Sequence, residues 1–157
     1  MQIPPAGSHT PAPPLPTAAP AGRAVAPPRA APPIRSTAMD IARLEHREPF
    51  ITLDGSEIRE LAGIPTGNAA NQSLAQATVP PGAETEAHYH RVSEEIYLFT
   101  SGAGRMRMAG EEAAVRAGDM VVIPPGTEHQ LVNDGSAPLV LLCCCSPPYS
   151  NEDTVLT

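Results

Sequence analysis

The chain contains no lysine and no tryptophan, and aromatic residues make up only 3% of its 157 positions. The lack of lysine excludes Schiff-base catalysis and the lysine anchor of pyridoxal phosphate. The sequence also lacks a Gly-X-Ser-X-Gly motif and a phosphate-binding loop, which argues against the hydrolase and nucleotide-binding classes that depend on them. The apolar run at residues 139–145 is far too short to span a membrane and predicts a buried strand.

Cysteine is scarce and confined to the consecutive residues Cys143, Cys144 and Cys145. A thiol metal site is one interpretation, but neighbouring residues of a strand point to opposite faces and the Cys-X-X-Cys spacing is missing. We therefore predict buried, reduced cysteines that serve packing. Reduced cysteines and the lack of a secretory signal pattern predict a cytoplasmic location.

Acidic residues are absent from residues 1–38, which are dominated by proline and alanine and carry three arginines. This composition predicts a disordered tail. All 17 acidic residues lie from Asp40 onward, where seven arginines accompany them, so the folded region carries a formal charge of −10. A surface of that sign argues against nucleic acid or an anionic membrane as a partner.

The acid-poor, arginine-bearing tail has the composition of a targeting peptide. Its eleven prolines oppose the amphipathic helix of a mitochondrial presequence, and it lacks the apolar core of a secretory signal. An alternative hypothesis is that the biological start is Met39, which N-terminal sequencing of natively expressed protein would test.

Residues 39–69 form a predicted N-terminal segment with one short helix. The stretch Asp54-Gly-Ser-Glu57 resembles a capping box, and the predicted helix follows it and ends at Gly63. From Ser73 onward, short β-type runs separated by Gly and Pro turns predict an all-β barrel over residues 70–146, followed by a C-terminal segment, 147–157. The eight predicted strands, which would fill a jelly roll, are 73–79, 85–91, 95–100, 104–109, 112–116, 120–123, 128–133 and 138–145.

Every histidine of the predicted barrel lies in one of two short segments that also contain a glutamate. His88 and His90 are two residues apart, so both imidazoles point to the same face of a strand. Glu95 begins a strand that can pair back antiparallel and bring its carboxylate to that face. His129 follows an Ile-Pro-Pro-Gly turn, and a barrel wall would bring it to the other three.

Three imidazoles and one carboxylate form a mixed nitrogen and oxygen ligand set that leaves two octahedral positions open. Manganese, iron, cobalt and nickel fit this set best, while zinc and copper are possible. We therefore predict one divalent transition metal held by His88, His90, Glu95 and His129.

The two segments, Gly82 to Gly102 and Gly118 to Asn133, resemble the two motifs of the cupin superfamily at every defining position and in the same order. The resemblance implies a double-stranded β-helix with the metal inside. Cupins with such a ligand set include dioxygenases and oxalate-degrading enzymes, and small relatives act as isomerases, lyases and polyketide cyclases. It also implies that Glu95 can act as a base by leaving the metal transiently. Small cupins commonly form homodimers through an edge strand or an exchanged N-terminal segment.

The resemblance reaches the fold and the ligands but leaves several functions open. We expect a metal-dependent enzyme acting on a small oxygenated organic substrate, with dioxygenase chemistry slightly favoured. A non-redox isomerase, lyase or cyclase is the first alternative, and a metabolite-binding or sensing protein without catalysis is the second.

Three features near the motifs have two interpretations each. Tyr97 has the parity of Glu95, so it is either a catalytic proton donor in the cavity or a wall residue. Glu94 would replace Glu95 as the ligand if the preceding turn were one residue shorter. Within residues 105–108 arginine and methionine alternate, so one of the two pairs faces the barrel interior. Inward arginines would form an anion pocket beside the metal, but we predict that the methionines face inward because two buried guanidinium groups without partners are costly.

Overall fold

The computed structural model describes residues 38–157, so the predicted disordered tail lies outside the described residues except for Ala38. Eleven strands form two antiparallel sheets: β1 Phe50–Ile51, β2 Glu57–Ala62, β3 Ser73–Val79, β4 His88–His90, β5 Glu94–Ser101, β6 Ala103–Met108, β7 Glu111–Arg116, β8 Met120–Ile123, β9 His129–Val132, β10 Leu139–Ser146 and β11 Thr154–Leu156. One sheet has the order β1-β2-β3-β10-β5-β8 and the other β11-β4-β9-β6-β7. The architecture is the predicted all-β jelly-roll barrel.

The eight strands predicted from the sequence are all present, and seven of them match within one residue at each end. The exception is β4, which is shorter than the predicted 85–91. Period-two alternation explains this agreement, because inward residues such as Phe99 and Leu141 are buried while their outward neighbours are not. The buried side chains of both sheets form one hydrophobic core.

The predicted helix that ends at Gly63 is wrong, because Glu57–Ala62 is strand β2. This strand pairs with β1 on one side and β3 on the other, and Ile58 opposite Ala77 becomes part of the core. These tertiary contacts override a local helix preference, as they commonly do. Among the described residues, helix is limited to one 3₁₀ turn, Leu44–His46.

The prediction for the alternating stretch in β6 is confirmed. Met106 is 4% exposed and belongs to the core, and Met108 packs against the same core. Arg105 and Arg107 point outward, and both form ion pairs with Glu112 of β7.

Within the described residues, no helix is long and apolar enough to cross a membrane.

Candidate metal centre

The four predicted ligand residues meet at one buried point between the two sheets. His88 and His90 lie on β4, Glu95 on β5 and His129 on β9. Each is at most 4% exposed, and one ligand atom of each lies within 4.8 Å of the others. His88 pairs directly with His129 across β4 and β9, which brings the two histidine segments together. We call these residues the ligand cluster.

A glycine turn attaches the second segment to the first. Gly126 has φ +75°, a backbone conformation that favours glycine, and its N–H donates a hydrogen bond to the His90 carbonyl (2.7 Å). The turn before His129 is therefore attached to the strand that carries His90.

The end of the second segment is held by a buried side chain. Asn133 is fully buried, and its side-chain amide donates to the carbonyls of Val79 and Ala137 (2.8 and 2.9 Å).

Backbone carbonyls orient two of the histidines. The Nδ1 atom of His88 lies 2.9 Å from the Glu86 carbonyl, and Nδ1 of His129 lies 2.9 Å from the Thr127 carbonyl. A carbonyl only accepts, so in both rings the proton belongs on Nδ1 and the Nε2 lone pair is free. This is the outer-shell arrangement found around metal-binding histidines.

His90 is held differently, by side chains. Its Nδ1 faces the Thr154 hydroxyl at 3.3 Å and lies 4.0 Å from Asp153 Oδ2, while its Nε2 lies 3.2 Å from Glu95 Oε2. The C-terminal strand β11 supplies Thr154 opposite His90. Asp153 also accepts the backbone N–H groups of Val92 and Ser93 (2.8 and 3.1 Å), which fixes the turn between the first histidines and Glu95.

One buried atom tests whether the cluster fits a metal. His129 Nε2 is buried and has no hydrogen-bond partner among residues 38–157, although it lies 3.3 Å from Glu95 Oε2. An unsatisfied buried nitrogen is costly unless a ligand completes it. Because its lone pair points toward the other donor atoms, the cluster suits a cation that accepts from all four residues. The residues present therefore fit the metal that the sequence predicts.

The charges in the cluster keep Glu95 ionised. Burial acts to raise the pKa of Glu95, but the imidazoles of His90 and His129, which lie 3.2 and 3.3 Å from its Oε2, favour the charged carboxylate and hold the pKa at about 2. Burial lowers the pKa of His88, and repulsion from His129 lowers it further. For His90 burial also acts to lower the pKa, but the hydrogen bond and charge of Glu95 outweigh it and raise the pKa. The cluster thus combines an anionic oxygen with His88, whose lowered pKa favours a neutral imidazole, and with His90, for which a metal would compete with a proton.

A cavity of about 50 Å³ opens beside the ligand cluster. Its lining comes from the inner faces of both sheets and from the β1–β2 hairpin. The residues that line it are Phe50, Thr52, Asp54, Ser56, Ile58, Glu60, Ser73, Ala75, Ala77, Thr85, His88, His90, Glu95, Tyr97, Leu131, Leu141, Cys143, Cys145, Tyr149 and Thr154. The cavity is therefore apolar along its sides and polar near the cluster and the hairpin.

The structure also decides two orientations that the sequence left open. Glu95 is buried and Glu94 is exposed, so Glu95 is the carboxylate that reaches the cluster. Tyr97 is 5% exposed, lines the cavity, and its ring lies edge-on to His129 with 5.8 Å between centroids. Burial, followed by the charge of Glu95, raises the pKa of Tyr97 well above its usual value, so its hydroxyl retains its proton.

Three residues near the cluster were missed by the sequence analysis. Cys145, interpreted there as packing only, donates its Sγ–H to Glu95 Oε1 (3.3 Å), and strand parity with Glu95 could have indicated this contact. Thr154 lies in a segment for which the sequence predicted no strand. Asp54 was interpreted as a helix cap and instead lines the cavity. All three cysteines are free, and none belongs to the ligand cluster.

The fold and cluster define a small double-sheet β-barrel protein with a buried candidate metal centre. Comparison with known proteins agrees: residues 75–145 match the profile of the cupin domain. An uncharacterized protein of Methanocaldococcus jannaschii, MJ1618, is 47% identical over 118 residues, which cover 74% of this chain and 94% of that protein. The chain therefore belongs to the cupin family.

Other matches are shorter or show the fold alone. The mannose-1-phosphate guanylyltransferase RfbM of Salmonella typhimurium is 33% identical over 79 residues, but the match covers 50% of this chain and only 16% of the transferase. Among solved structures, the Streptomyces nucleoside dehydratase Pac13 superposes with a TM-score of 0.62 at 16% identity, covering 76% of this chain and 92% of that protein. Such low identity establishes a shared barrel and no shared reaction.

Proposed function

We propose that the protein is a metal-dependent enzyme that acts on a small oxygenated organic molecule. The observation that supports this most strongly is the buried His129 Nε2, which has no hydrogen-bond partner among the described residues and faces the other donors of the ligand cluster at the edge of a cavity. A purely structural polar cluster would satisfy such an atom internally.

In this proposal His88, His90, Glu95 and His129 hold one divalent transition metal. Three nitrogens and one carboxylate favour manganese, iron, nickel or cobalt, with zinc and copper possible. When bound, such an ion supplies Lewis-acid polarisation of a substrate oxygen and, for the redox-active metals, dioxygen chemistry. The carbonyls of Glu86 and Thr127 keep the Nε2 atoms of His88 and His129 available for it.

Two residues are proposed as catalytic. Tyr97 lines the cavity with a protonated hydroxyl, so it can donate a proton or a hydrogen bond to the substrate. Glu95 is ionised, so it can accept a substrate proton when its carboxylate leaves the metal transiently. Both side chains project from β5 on the same face, which places them next to the same substrate.

Dioxygenase chemistry is our first choice for the reaction. The apolar sides of the cavity, which include Ala75, Ala77, Leu131 and Leu141, suit an apolar substrate body and exclude water from reactive oxygen species. The presence of a proton donor and a proton acceptor beside the cluster favours the second candidate, an oxygen-independent isomerase, lyase or cyclase. The two candidates differ in one readily measured quantity, the oxygen consumed per product formed.

The test is turnover by the metal-loaded full chain under an oxygen electrode, with diketones, flavonoids and thiols as candidate substrates. Oxygen uptake that matches product formation supports a dioxygenase, and product without uptake supports the second candidate. The variant Tyr97→Phe should lower kcat while it leaves metal content unchanged. Binding of these compounds without any turnover would contradict the enzyme proposal and leave a metabolite-binding or sensing protein.

We also propose that the protein forms a homodimer. Leu98, Met120 and Val122 are 41%, 57% and 42% exposed and lie on the outer faces of neighbouring strands β5 and β8. Strand β8 is at the edge of its sheet, where an unpaired backbone invites pairing with a second copy. Light scattering of the wild type and of Met120→Glu would test this, since the charge should favour the monomer.

The proposed compartment is the cytoplasm. Its support is that the three cysteines are free, with Cys143 and Cys145 in the cavity where a disulfide would distort the site. Fractionation of the source cells with an antibody to the protein would test the location.

A further inference from the structure

The turn between β1 and β2 brings a second carboxylate to the cavity. Asp54 is 9% exposed and lines the same cavity as His88 and Glu95. Its backbone carbonyl accepts a hydrogen bond from the Glu86 N–H (2.8 Å), and the Glu86 carbonyl in turn contacts Nδ1 of His88 (2.9 Å). Asp54 is therefore anchored to the residue that orients one of the histidines.

The two oxygens of the Asp54 carboxylate have different surroundings. Oδ1 accepts hydrogen bonds from the Thr52 hydroxyl (2.5 Å), the Ser56 hydroxyl (2.9 Å) and the Ser56 N–H (3.3 Å). Within residues 38–157, Oδ2 accepts no hydrogen bond. The three bonds to Oδ1 fix the side chain in place, and Oδ2 keeps its acceptor capacity for a donor from outside the protein. Oδ2 is thus a preorganised acceptor for a molecule that enters the cavity.

The side chains that line the cavity include three carboxylates and, among residues 38–157, no arginine. The carboxylates belong to Asp54, Glu60 and Glu95. Arg59 is the arginine nearest in sequence to Asp54. It lies on β2 between the lining residues Ile58 and Glu60, and its guanidinium pairs with the Glu57 carboxylate at 3.9 Å. A divalent ion in the ligand cluster would be neutralised by Glu95 and Asp54, so an anionic ligand would add charge that no cation in the lining offsets.

Tyr97 and Asp54 line the same cavity. Tyr97 lies on β5, whereas Asp54 lies in the turn of the hairpin. A ligand between them would therefore meet a hydroxyl donor on one side and a carboxylate acceptor on the other.

We propose that Asp54 is a substrate-binding residue that accepts a hydrogen bond from a substrate hydroxyl and selects uncharged, hydroxyl-bearing molecules with an apolar body over carboxylates and phosphates. The inference rests on the proposed function, because it assumes that the ligand cluster and the cavity act on the same molecule. It narrows the substrate class from small oxygenated molecules to neutral alcohols, polyols or phenols.

The experiment compares two probes of similar size that differ in charge, glycolate and ethylene glycol. Both are titrated into the cobalt-loaded full chain, and binding is read from the visible absorption of cobalt. The variants are Asp54→Asn, which removes the charge and keeps the acceptor oxygen, and Glu57→Gln, a matched loss of charge on the same hairpin outside the cavity. Circular dichroism and metal content establish that each variant is folded and loaded, and Asp54→Ser replaces Asp54→Asn if the latter fails to fold.

We expect Asp54→Asn to bind glycolate at least about fivefold more tightly than the wild type, as removal of a nearby like charge predicts, and to bind ethylene glycol more weakly. Glu57→Gln should stay within about twofold of the wild type for both probes, as expected for an exposed charge. Equal glycolate affinity in the wild type and Asp54→Asn, an equal change in Glu57→Gln, or no spectral response to either probe would overturn the inference. A wild-type chain that takes up no metal would instead contradict the proposed function itself.

Discussion

The two walls of the cavity differ in how their residues reach it. The ligand wall consists of the cluster on β4, β5 and β9, and its members follow from short spacings such as that between His88 and His90. The hairpin wall is formed by β1, β2 and the turn that carries Asp54, and it reaches the cavity only because β2 pairs with β3 and Glu86 binds the Asp54 carbonyl. His88, His90 and Glu95 therefore follow from short spacings, whereas Asp54 depends on long-range pairing, and His129 does so through β4 and β9.

The largest expected effect separates the two walls. Glu95→Ala should lower metal affinity by more than about 100-fold, since even changes outside the ligand shell cost about 10- to 100-fold. Asp54→Asn should leave the metal content unchanged because Asp54 is not part of the ligand cluster. Plasma mass spectrometry of protein purified without chelators measures both.

The exposed His46→Ala serves as the control for loss of a histidine that lies outside the barrel. If Asp54→Asn lost as much metal as Glu95→Ala, the two walls would form one binding unit and the distinction between them would fail.

The next effect concerns the stability of the metal-free protein in acid. In the folded state the pKa of Glu95 is about 2, below its ordinary value of 4.5, so the ionised carboxylate stabilises the fold above pH 4.5. That contribution is lost as pH falls from 4.5 toward 2, and we expect it to be on the order of 3 kcal/mol. Urea unfolding at several pH values measures it, with Glu95→Gln as the comparison. An equally steep acid dependence in Glu95→Gln would assign the effect to other groups.

Sequence alone predicted the ligand wall and missed the hairpin wall for a physical reason. The alternation of β5 and the spacing of His88 and His90 depend on neighbours in sequence, so the side chains that face inward could be assigned. In Glu57–Ala62 the residues favour a helix locally, and only pairing with β1 and β3 makes them a strand. Asp54 was therefore interpreted as a cap, and its position in the cavity could not be derived without the tertiary fold.

A smaller effect concerns a residue behind the ligand wall. Cys145 donates to Glu95 Oε1, so Cys145→Ala should free that oxygen and weaken metal binding by about tenfold, the lower end for outer-shell partners. Cys144→Ala is the matched control, because Cys144 lies opposite Ile96 on the other face of β10. Competition with a chelator of known affinity measures both. Equal effects of the two substitutions would show that Cys145 contributes packing alone.

The smallest expected effect concerns the orientation of His90. His88 and His129 are oriented by backbone carbonyls, which substitution cannot remove, whereas His90 Nδ1 faces the side-chain hydroxyl of Thr154. Thr154→Val keeps the shape and removes this partner, while Asp153 at 4.0 Å still favours the same ring orientation. We therefore expect only about a threefold loss of metal affinity, below the range for a sole outer-shell partner.

Thr100→Val is the control for this substitution, since Thr100 is exposed and its hydroxyl bonds the Val140 carbonyl on β10. Chelator competition combined with urea unfolding distinguishes a change in the orientation of His90 from general destabilisation. If Thr154 only orients His90, Thr154→Val changes the metal affinity and leaves the urea midpoint constant. If the substitution destabilises the fold, both quantities change. If Thr154→Val lowered metal affinity as much as Cys145→Ala, Thr154 on the C-terminal strand would be the main residue that orients His90. Asp153 would then contribute little to that orientation. The orientation of His90 would then depend on the long-range pairing of β11 with β4, as the position of Asp54 depends on the pairing of β2 with β3.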